Sequence, residues 1–486
     1  MTRRVARNVA WNVTGNLASL AVGLVALPVL LHTLGAAQLG VFTLALGLIG
    51  FSGLLDLGLG RSLTQTVSSR LGSGRPRDAV AALAWHVLPL LGMFGVIWAL
   101  LLWWSAPWIV AHLFDLHAPL SLETVFGLHA VALSMPFTLM STGAMGTLEG
   151  LQEFRRVGTR RAALSIAQFG LPALAALWRP DVGWAIAALA TSRVLSAAVW
   201  LYGLARALPR SPSQRYAKED LNHLLRFGGW LSVSNLVGPL MVWADRFYLA
   251  SVFPPTTVAY YTVPYDSLFR LTALPATAMG ALFPAFAESQ AEAARVRPML
   301  IAALQSLVAV TLPPTVIASV FALQLLSLWL GADFATHAAR VFQWLALGVF
   351  LNGTAHAPYA LLQAHGRADV TAKLHILELP LFVALLLWSV GQWGVEGAAL
   401  AWTLRVALDT ALLYVAAYAL LPPFRPQLAP ATALIICSAA PAAAPLVINN
   451  VHALGSIVVT SCLACGLLAL RLGRQWRNSS SPAPER

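Results

Sequence analysis

Charged side chains inside apolar stretches are the residues of this chain whose type and position could do chemistry. One Asp, Lys or Arg at the centre of a membrane helix costs about 2.5–3.5 kcal/mol, so such residues face a protein interior, a cavity or one another. The stretch 51–61, FSGLLDLGLGR, holds an acid and a base of this kind. The complete set is Asp56, Arg61, Arg193, Asp245, Arg246, Asp266, Arg270, Glu378, Arg405 and Asp409.

Two acid–base pairs have the spacing of neighbours on one helix face. Asp266 precedes Arg270 by four residues, and Arg405 precedes Asp409 by the same spacing. Residues four apart are neighbours on the surface of an α-helix. Each pair therefore has two interpretations: a salt bridge that fixes helix packing, or two groups presented to a common cavity.

The other charges of the first half have no such neighbour. Asp56 and Arg61 are five residues apart, which places them about 140° apart around an ideal helix. They could pair only if Gly58 and Gly60 let the helix deform. Arg61 is near the cytoplasmic end of its predicted helix, where its side chain could also reach the membrane surface. Arg193 has no acid within one helical turn on either side.

Three arginines are expected at similar depths near the middle of the membrane. Counting residues along the predicted helices, at about 1.5 Å per residue, gives this depth for Arg193, Arg270 and Arg405. Arginine stays charged and binds phosphate oxygens with two parallel hydrogen bonds. With Arg246 and Arg61, they predict a cationic cavity that suits an anionic group. The acids have two open roles, as carriers of a proton or cation and as helix-pairing groups: Asp56, Asp245, Asp266, Glu378 and Asp409.

The elements that must position these charges are transmembrane helices. The chain is 58% hydrophobic and 10% charged, whereas a soluble domain carries about 25% charged residues. Membrane helices need about 20 apolar residues, and the polar links are too short for a soluble domain. About fourteen apolar runs are long enough to form membrane helices: 9–31, 39–66, 80–108, 122–148, 158–178, 183–207, 224–251, 257–286, 299–330, 337–363, 371–390, 395–421, 428–448 and 453–471.

Basic residues in alternate loops indicate the orientation of these helices. Lys and Arg accumulate on the cytoplasmic side of membrane proteins. One set of loops holds nearly all of them, including both termini, and the other set holds only Arg179 and Arg340. Both termini are therefore expected in the cytoplasm, which requires an even number of helices. The net charge of +12 is explained by this bias and does not require a nucleic-acid partner.

No cofactor or metal is expected. The histidines have no metal-ligand spacing, and the three cysteines lie in late apolar segments without a disulfide framework.

An internal repeat relates the two halves of the chain. Six helices per half preserve topology, so the axis between the halves would run along the membrane normal, as in alternating-access transporters. The predicted all-α fold has lobes 1–208 and 224–421 joined by a cytoplasmic linker 209–223, accessory helices 428–471 and a disordered tail 472–486. A shift of 219 residues pairs Trp11 with Trp230, Asn16 with Asn235 and Thr43 with Thr262, and a shift of 212 pairs Thr191 with Thr403 and Arg193 with Arg405.

Several short motifs occur in the order of a known family. They are LLDLGLGRSL at 54–63, GTLEGLQEFRRV at 146–157, DRFYLAS at 245–251, VAYYTVPYDSLFRL at 258–271, LFPAFAE at 282–288 and GVEGAALAWTLRVALD at 394–409. Together they resemble the polysaccharide transporter family, the Wzx-type flippases of the multidrug/oligosaccharidyl-lipid/polysaccharide superfamily. The resemblance runs from the first helix to about residue 421.

This resemblance implies a function as well as a fold. It implies two six-helix bundles in a V shape around a cationic cavity in a bacterial inner membrane. The expected substrate is an oligosaccharide linked to undecaprenyl pyrophosphate, moved to the periplasmic leaflet with an ion or proton gradient. Polysaccharide polymerase and chain-length machinery are candidate partners. The motifs carry Asp56, Arg61, Asp245, Arg246 and Arg270 into the expected site.

Three other functions remain as alternatives. A lipid II flippase would have the same helix number and a similar cavity. A multidrug exporter of the superfamily would be expected to have an acidic cavity, yet the first helix offers Asn12 and Asn16 and no carboxylate. A membrane glycosyltransferase or polymerase usually needs a sizeable outer loop with acids, and the longest outer link, 112–123, is short.

Overall fold

The fold is entirely helical wherever the structure describes regular secondary structure. A computed structural model describes residues 3–480, apart from 51–58, 73–75, 152, 210–240, 242, 277–278, 280–292 and 449. The chain divides into two compact units, Met1–Val263 and Pro264–Arg486. The predicted linker lies almost wholly outside the described residues, so the predicted lobe boundary stays a prediction.

The first unit contains the helices of the predicted first lobe and the beginning of the predicted second lobe. Its last helix crosses the boundary between the units, and a short helical segment, 243–252, precedes that helix. The helices are α1 (Arg3–Gly50), α2 (Leu59–Gly72), α3 (Arg77–Trp108), α4 (Leu120–Gly150), α5 (Phe154–Trp178), α6 (Val182–Ala207) and α7 (Pro255–Phe269).

The second unit begins within α7 and continues to the C-terminus. A 3₁₀ turn, Arg270–Thr272, comes directly after α7. The remaining helices are α8 (Ala293–Val320), α9 (Ala322–Leu330), α10 (Ala332–Ala364), α11 (Ala368–Leu420), α12 (Arg425–Ala443) and α13 (Val451–Ser480).

Most of these helices are long and apolar enough to cross a membrane. Within the described part of the chain nine helical stretches meet this criterion, and a shorter apolar one, His452–Leu468, comes after them. Two of the nine, Ala21–Gly50 and Asp369–Leu420, contain parts of two predicted helices each. The described helices therefore agree with the predicted apolar runs.

Two glycines make the sharp reversals inside the longest helices. Gly35 in α1 has φ 77° and ψ 168°, and Gly394 in α11 has φ 57° and ψ −134°. Both conformations are unfavourable for residues with a side chain, because a Cβ would collide with the backbone. Each glycine therefore lets one helix end and the next begin without a longer loop.

The second half of α1 contacts the segment 243–252 and α7 through small residues. A Cβ at Gly40 would collide with the carbonyl oxygen of Pro255, and one at Gly47 would lie 2.6 Å from the Trp243 ring. Within this contact, Thr43 Oγ1 and Thr262 Oγ1 are 2.7 Å apart and share a hydrogen bond. These two threonines are the pair that the 219-residue shift superposes.

Each unit has its own apolar core. In the first unit α2, α3, α4 and α6 bury Leu63, Val87, Leu139 and Leu204 together. In the second unit α8, α10 and α11 pack with the accessory helices α12 and α13, and Phe350, Leu361, Leu428 and Cys465 lie in this core. The accessory helices thus pack against the second unit's core.

The C-terminal helix is longer than expected. The tail 472–486 is predicted to be disordered, whereas α13 continues to Ser480 and only 481–486 lie outside the described residues. Leu472, Arg474, Gln475 and Arg477 come after the apolar run. These residue types form helices well, and cations stabilise a helix C-terminus, so the helix continues beyond its apolar stretch.

Candidate functional site

Arg193 is the predicted cation that stands most clearly apart from acids. It lies eleven residues after the first residue of α6, Val182, or about 16 Å along the helix. Its side chain is half-buried, and its Nε atom is buried without a hydrogen bond to any residue that the structure describes. The sequence predicts this environment, because no acid lies within one helical turn. Arg193 is therefore a cation with at least one N–H that no described residue accepts.

Arg405 has the matching position in the second unit. It lies eleven residues after the reversal at Gly394, the same spacing that Arg193 has from Val182. Its guanidinium carbon is 5.7 Å from the centre of the Phe382 ring, a cation–π distance. The repeat thus places one arginine at the same helical depth in each unit.

Arg270 lies where α7 changes to a 3₁₀ turn. Its Nε donates to the main-chain oxygen of Asp266 at 3.2 Å, and the charge of Asp266 also acts on it. Asp266 and Arg270 are therefore neighbours, as their spacing predicts, and the main-chain oxygen of Asp266 is the acceptor in this contact. Arg270 is half-buried.

Asp245 and Arg246 are buried in a packed network of the first unit. Asp245 is 0% exposed, and its carboxylate accepts from the Tyr261 hydroxyl and, at 2.7 Å, from the Arg246 main-chain N–H. Arg246 is 2% exposed, with its guanidinium carbon 4.0 Å from the centre of the Trp243 ring. This environment favours a structural role for both residues over direct contact with a substrate.

Glu378 and Asp409 lie in a cluster of titratable groups in the second unit. Glu378 is 0% exposed, and Asp409, which is 7% exposed, has its Oδ1 at 3.6 Å from Nε2 of His375. The charges of Asp409 and Arg405 both act on Glu378. The sequence predicts Arg405 as the helical neighbour of Asp409, and the structure adds His375, from the other half of α11, as a close neighbour.

Sequence reasoning missed the partners of the acids. His375 precedes Glu378 by three residues, so helical spacing places both on one face, and this signal was available. Trp243 precedes Arg246 by the same three residues, so this neighbour also had a signal in the sequence. Tyr261 had none, because it reaches Asp245 through the packing of α7 against the segment 243–252.

Two of the predicted charges fall outside the described residues. Asp56 belongs to the stretch 51–58, and the side chain of Arg61 is also outside the described part, although its main chain belongs to α2. Their roles in a cavity remain predictions.

The predicted outer loops pair their two arginines with acids. Arg179 Nε is 4.0 Å from Asp181 Oδ2, and Arg340 Nε is 3.4 Å from Glu396 Oε1. Trp344 Nε1 also donates to Glu396 Oε1, at 3.1 Å. Both cations that are predicted at the outer side therefore have a countercharge beside them.

The donor set suits an anion and protons better than a metal. Among the described residues no group of three or more His, Cys, Asp or Glu side chains could hold a metal ion. The arginines can bind phosphate oxygens, and a buried carboxyl pair can bind a proton.

Comparison with known families places most of this chain in one family model. The model described as polysaccharide biosynthesis protein matches residues 5–290, more than half of the chain. A Shigella flexneri protein named "Putative O-antigen transporter" is 27% identical over 409 residues, covering 84% of this chain and 96% of the relative.

Solved structures show the same fold at low sequence identity. The structure titled "Lipid II flippase MurJ, inward closed conformation" has a TM-score of 0.66 and 11% identity, and covers 94% of this chain and 99% of its own. An inward-facing multidrug resistance MATE family transporter of the MOP superfamily also has a TM-score of 0.66, with 16% identity, covering 85% of this chain and 95% of its own.

Proposed function

Because this chain belongs to the polysaccharide biosynthesis protein family, we propose that it is a flippase for an oligosaccharide linked to undecaprenyl pyrophosphate. It is a multi-pass membrane transporter and not an enzyme. The proposed reaction moves the lipid-linked glycan from the cytoplasmic to the periplasmic leaflet of a bacterial inner membrane. The relative from Shigella flexneri, named for O-antigen transport, supports this substrate class.

The observation that carries the proposal is the pair of arginines at equal helical depth. Arg193 and Arg405 each lie eleven residues from the start of their helix segment, one in each unit. A pyrophosphate offers several anionic oxygens, and guanidinium groups bind such oxygens with two hydrogen bonds each. Arginines within membrane helices are costly, so an arginine at this position in each repeat favours a functional role such as binding an anion.

Transport by alternating access, driven by a proton or another ion, completes the proposal. The internal repeat of the sequence supports this mode of transport, because repeated bundles are typical of alternating-access transporters. Polysaccharide polymerase and chain-length machinery would be the partners that consume the translocated glycan. Both chain termini are proposed to lie in the cytoplasm.

The test replaces Arg193, Arg270 and Arg405 with Ala one at a time. Each variant should abolish surface polysaccharide in cells that depend on this protein, because the anionic head group loses a binding cation. Protein level in the membrane is measured in parallel. Arg340→Ala is the matched control, since Arg340 is paired with Glu396 at the predicted outer end, and it should retain export. Full export in all three test variants would refute the arginine site.

A lipid II flippase is the second candidate, and the fold does not separate it from the first. The MurJ and MATE structures reach the same TM-score. Rescue of cells depleted of their essential lipid II flippase would favour the second candidate. Failure of rescue, with restored surface polysaccharide in a glycan-export mutant, would favour the first.

A further inference from the structure

A buried carboxylate with no donor is the starting observation. Glu378 is 0% exposed in the first half of α11, and neither of its carboxylate oxygens accepts a hydrogen bond from any described residue. An ionised carboxylate buried without a donor is strongly destabilised. Glu378 therefore needs either a bound proton or a nearby countercharge.

Asp409 approaches from the second half of α11 and opposes ionisation of Glu378. It is also buried, and one of its oxygens, Oδ1, has no hydrogen bond among the described residues. Its charge acts on Glu378. Two nearby carboxylates in a dry environment resist simultaneous ionisation, so one of them tends to keep a proton.

His375 and the groups around it complete the cluster. His375 Nε2 lies 3.6 Å from Asp409 Oδ1, on the same half-helix as Glu378. From α10, the Tyr359 ring stacks on the His375 ring with centroids 6.4 Å apart. His356, also on α10, has its Nδ1 at 2.8 Å from the main-chain oxygen of Asn352 and is within range of the Asp409 charge.

Arg405 is the fixed positive charge that faces the acids. Its charge acts on Glu378. With both acids ionised and the histidines neutral, this set of side chains carries one negative charge in excess. Binding of one proton to an acid or to His375 removes that excess.

From this arrangement we propose that Glu378, Asp409 and His375 form a proton-binding site that holds one exchangeable proton. The proton forms an O–H bond on Glu378, which can donate to the ionised Asp409 carboxylate, and neutral His375 is the alternative acceptor of that proton. Release of the proton to water leaves two carboxylates beside Arg405. The proposal rests on the proposed transport function, because it supplies the coupling proton.

The same geometry couples the proton to the anion. When Arg405 is engaged by an anion, it offers less countercharge to Glu378, and proton binding becomes more favourable. Linkage is reciprocal, so proton binding then also strengthens anion binding at Arg405. Pyrophosphate should therefore increase proton uptake by the purified protein.

Proton binding can be measured on the full chain without any lipid-linked glycan. Infrared difference spectra between alkaline and acid pH should contain a protonated-carboxyl band, and a pH indicator should register the uptake. Glu378→Gln should remove that band and about one proton of uptake per protein. Asp369→Asn is the matched control on the same helix, because Asp369 is an exposed partner of Lys373 at 3.1 Å, and its buried-carboxyl band should persist.

A second variant keeps the test decisive if the Glu378→Gln protein does not fold. Asp409→Asn keeps the shape of the side chain but removes the opposing charge, so the Glu378 band should disappear at more acid pH than in the unchanged protein. An unaltered band in both Glu378→Gln and Asp409→Asn would overturn the proposal. Loss of the band on addition of sodium at constant pH would also overturn it, in favour of a metal cation.

These outcomes are independent of the substrate. If the protein shows the Glu378 band but does not move lipid-linked glycan, the proton site stands and the proposed function fails. If it moves the glycan without any response to a proton gradient, and Glu378→Gln transports normally, the proton site fails and the flippase stands.

Discussion

Asp245 shows how a charge that looks functional in the sequence can serve packing. The carboxylate is fully buried and accepts hydrogen bonds from Tyr261 and from the main chain of Arg246. Arg246 packs on Trp243 in turn. By contrast, Arg193 has an uncommitted buried Nε within the described structure. Asp245 thus has its hydrogen bonds committed to neighbouring groups, whereas Arg193 keeps an N–H that no described residue accepts.

Tyr261→Phe tests the packing role of Asp245. The change removes one donor and leaves a buried carboxylate oxygen less satisfied, which costs about 1–3 kcal/mol. We expect a lower apparent Tm of the purified protein, measured by tryptophan fluorescence. Tyr202→Phe is the control, because Tyr202 is 57% exposed, and its Tm should be unchanged. Equal Tm values for both variants would contradict the role assigned to this hydrogen bond.

At the scale of elements, glycines decide where one apolar helix becomes two. The apolar sequence of α11 is long enough for two membrane helices, and Gly394 reverses the chain between them. The same arrangement occurs at Gly35 in α1. The position of Gly394 determines how far along its helix Arg405 lies, because that helix begins at the reversal.

Gly394→Ala tests this reversal. A side chain in the left-handed region costs about 1–2 kcal/mol, so the variant should have a lower apparent Tm than the unchanged protein. Gly391→Ala is a close control, since a Cβ there would meet nothing within 4 Å, and alanine is the better helix former. A Gly394→Ala protein as stable as the Gly391→Ala protein would show that the reversal tolerates a side chain.

At the scale of the whole molecule, the main features are the internal repeat of the sequence and the predicted orientation of the chain in the membrane. The hydrogen bond between Thr43 and Thr262 joins two residues related by the 219-residue shift. Arg193 and Arg405, related by the 212-residue shift, lie at equal helical depths. Both pairs follow from the internal repeat of the sequence, and the pseudo-twofold relation between the two halves stays a prediction.

Topology mapping tests the orientation. Reporters fused at the N-terminus and after residue 486 should be active only as cytoplasmic reporters, because the basic loops hold that side of the chain inside. A periplasmic reporter inserted next to Asp181, in a predicted outer loop, should be active. Activity of the periplasmic reporter at either terminus would refute the assignment of the basic loops to the cytoplasm.

The sequence by itself determined the class of protein, the approximate positions of its helices and the family resemblance. These depend on apolar length, basic-loop bias and motif order, which are properties of neighbouring residues in the chain. It also marked Arg193 as a cation without a local acid, and the described contacts agree. The prediction of disorder from residue 472 was wrong, because α13 continues to Ser480, beyond the end of the apolar stretch.

Only the tertiary structure decided which charges are committed to partners. Asp245 accepts a hydrogen bond from Tyr261 of another helix, and Asp409 Oδ1 lies 3.6 Å from His375 Nε2 across the reversal at Gly394. Helical spacing predicts contacts within a turn, whereas these contacts depend on how helices pack. In a membrane, burial and partners determine whether a charge is structural or available, and both are properties of the assembled helices.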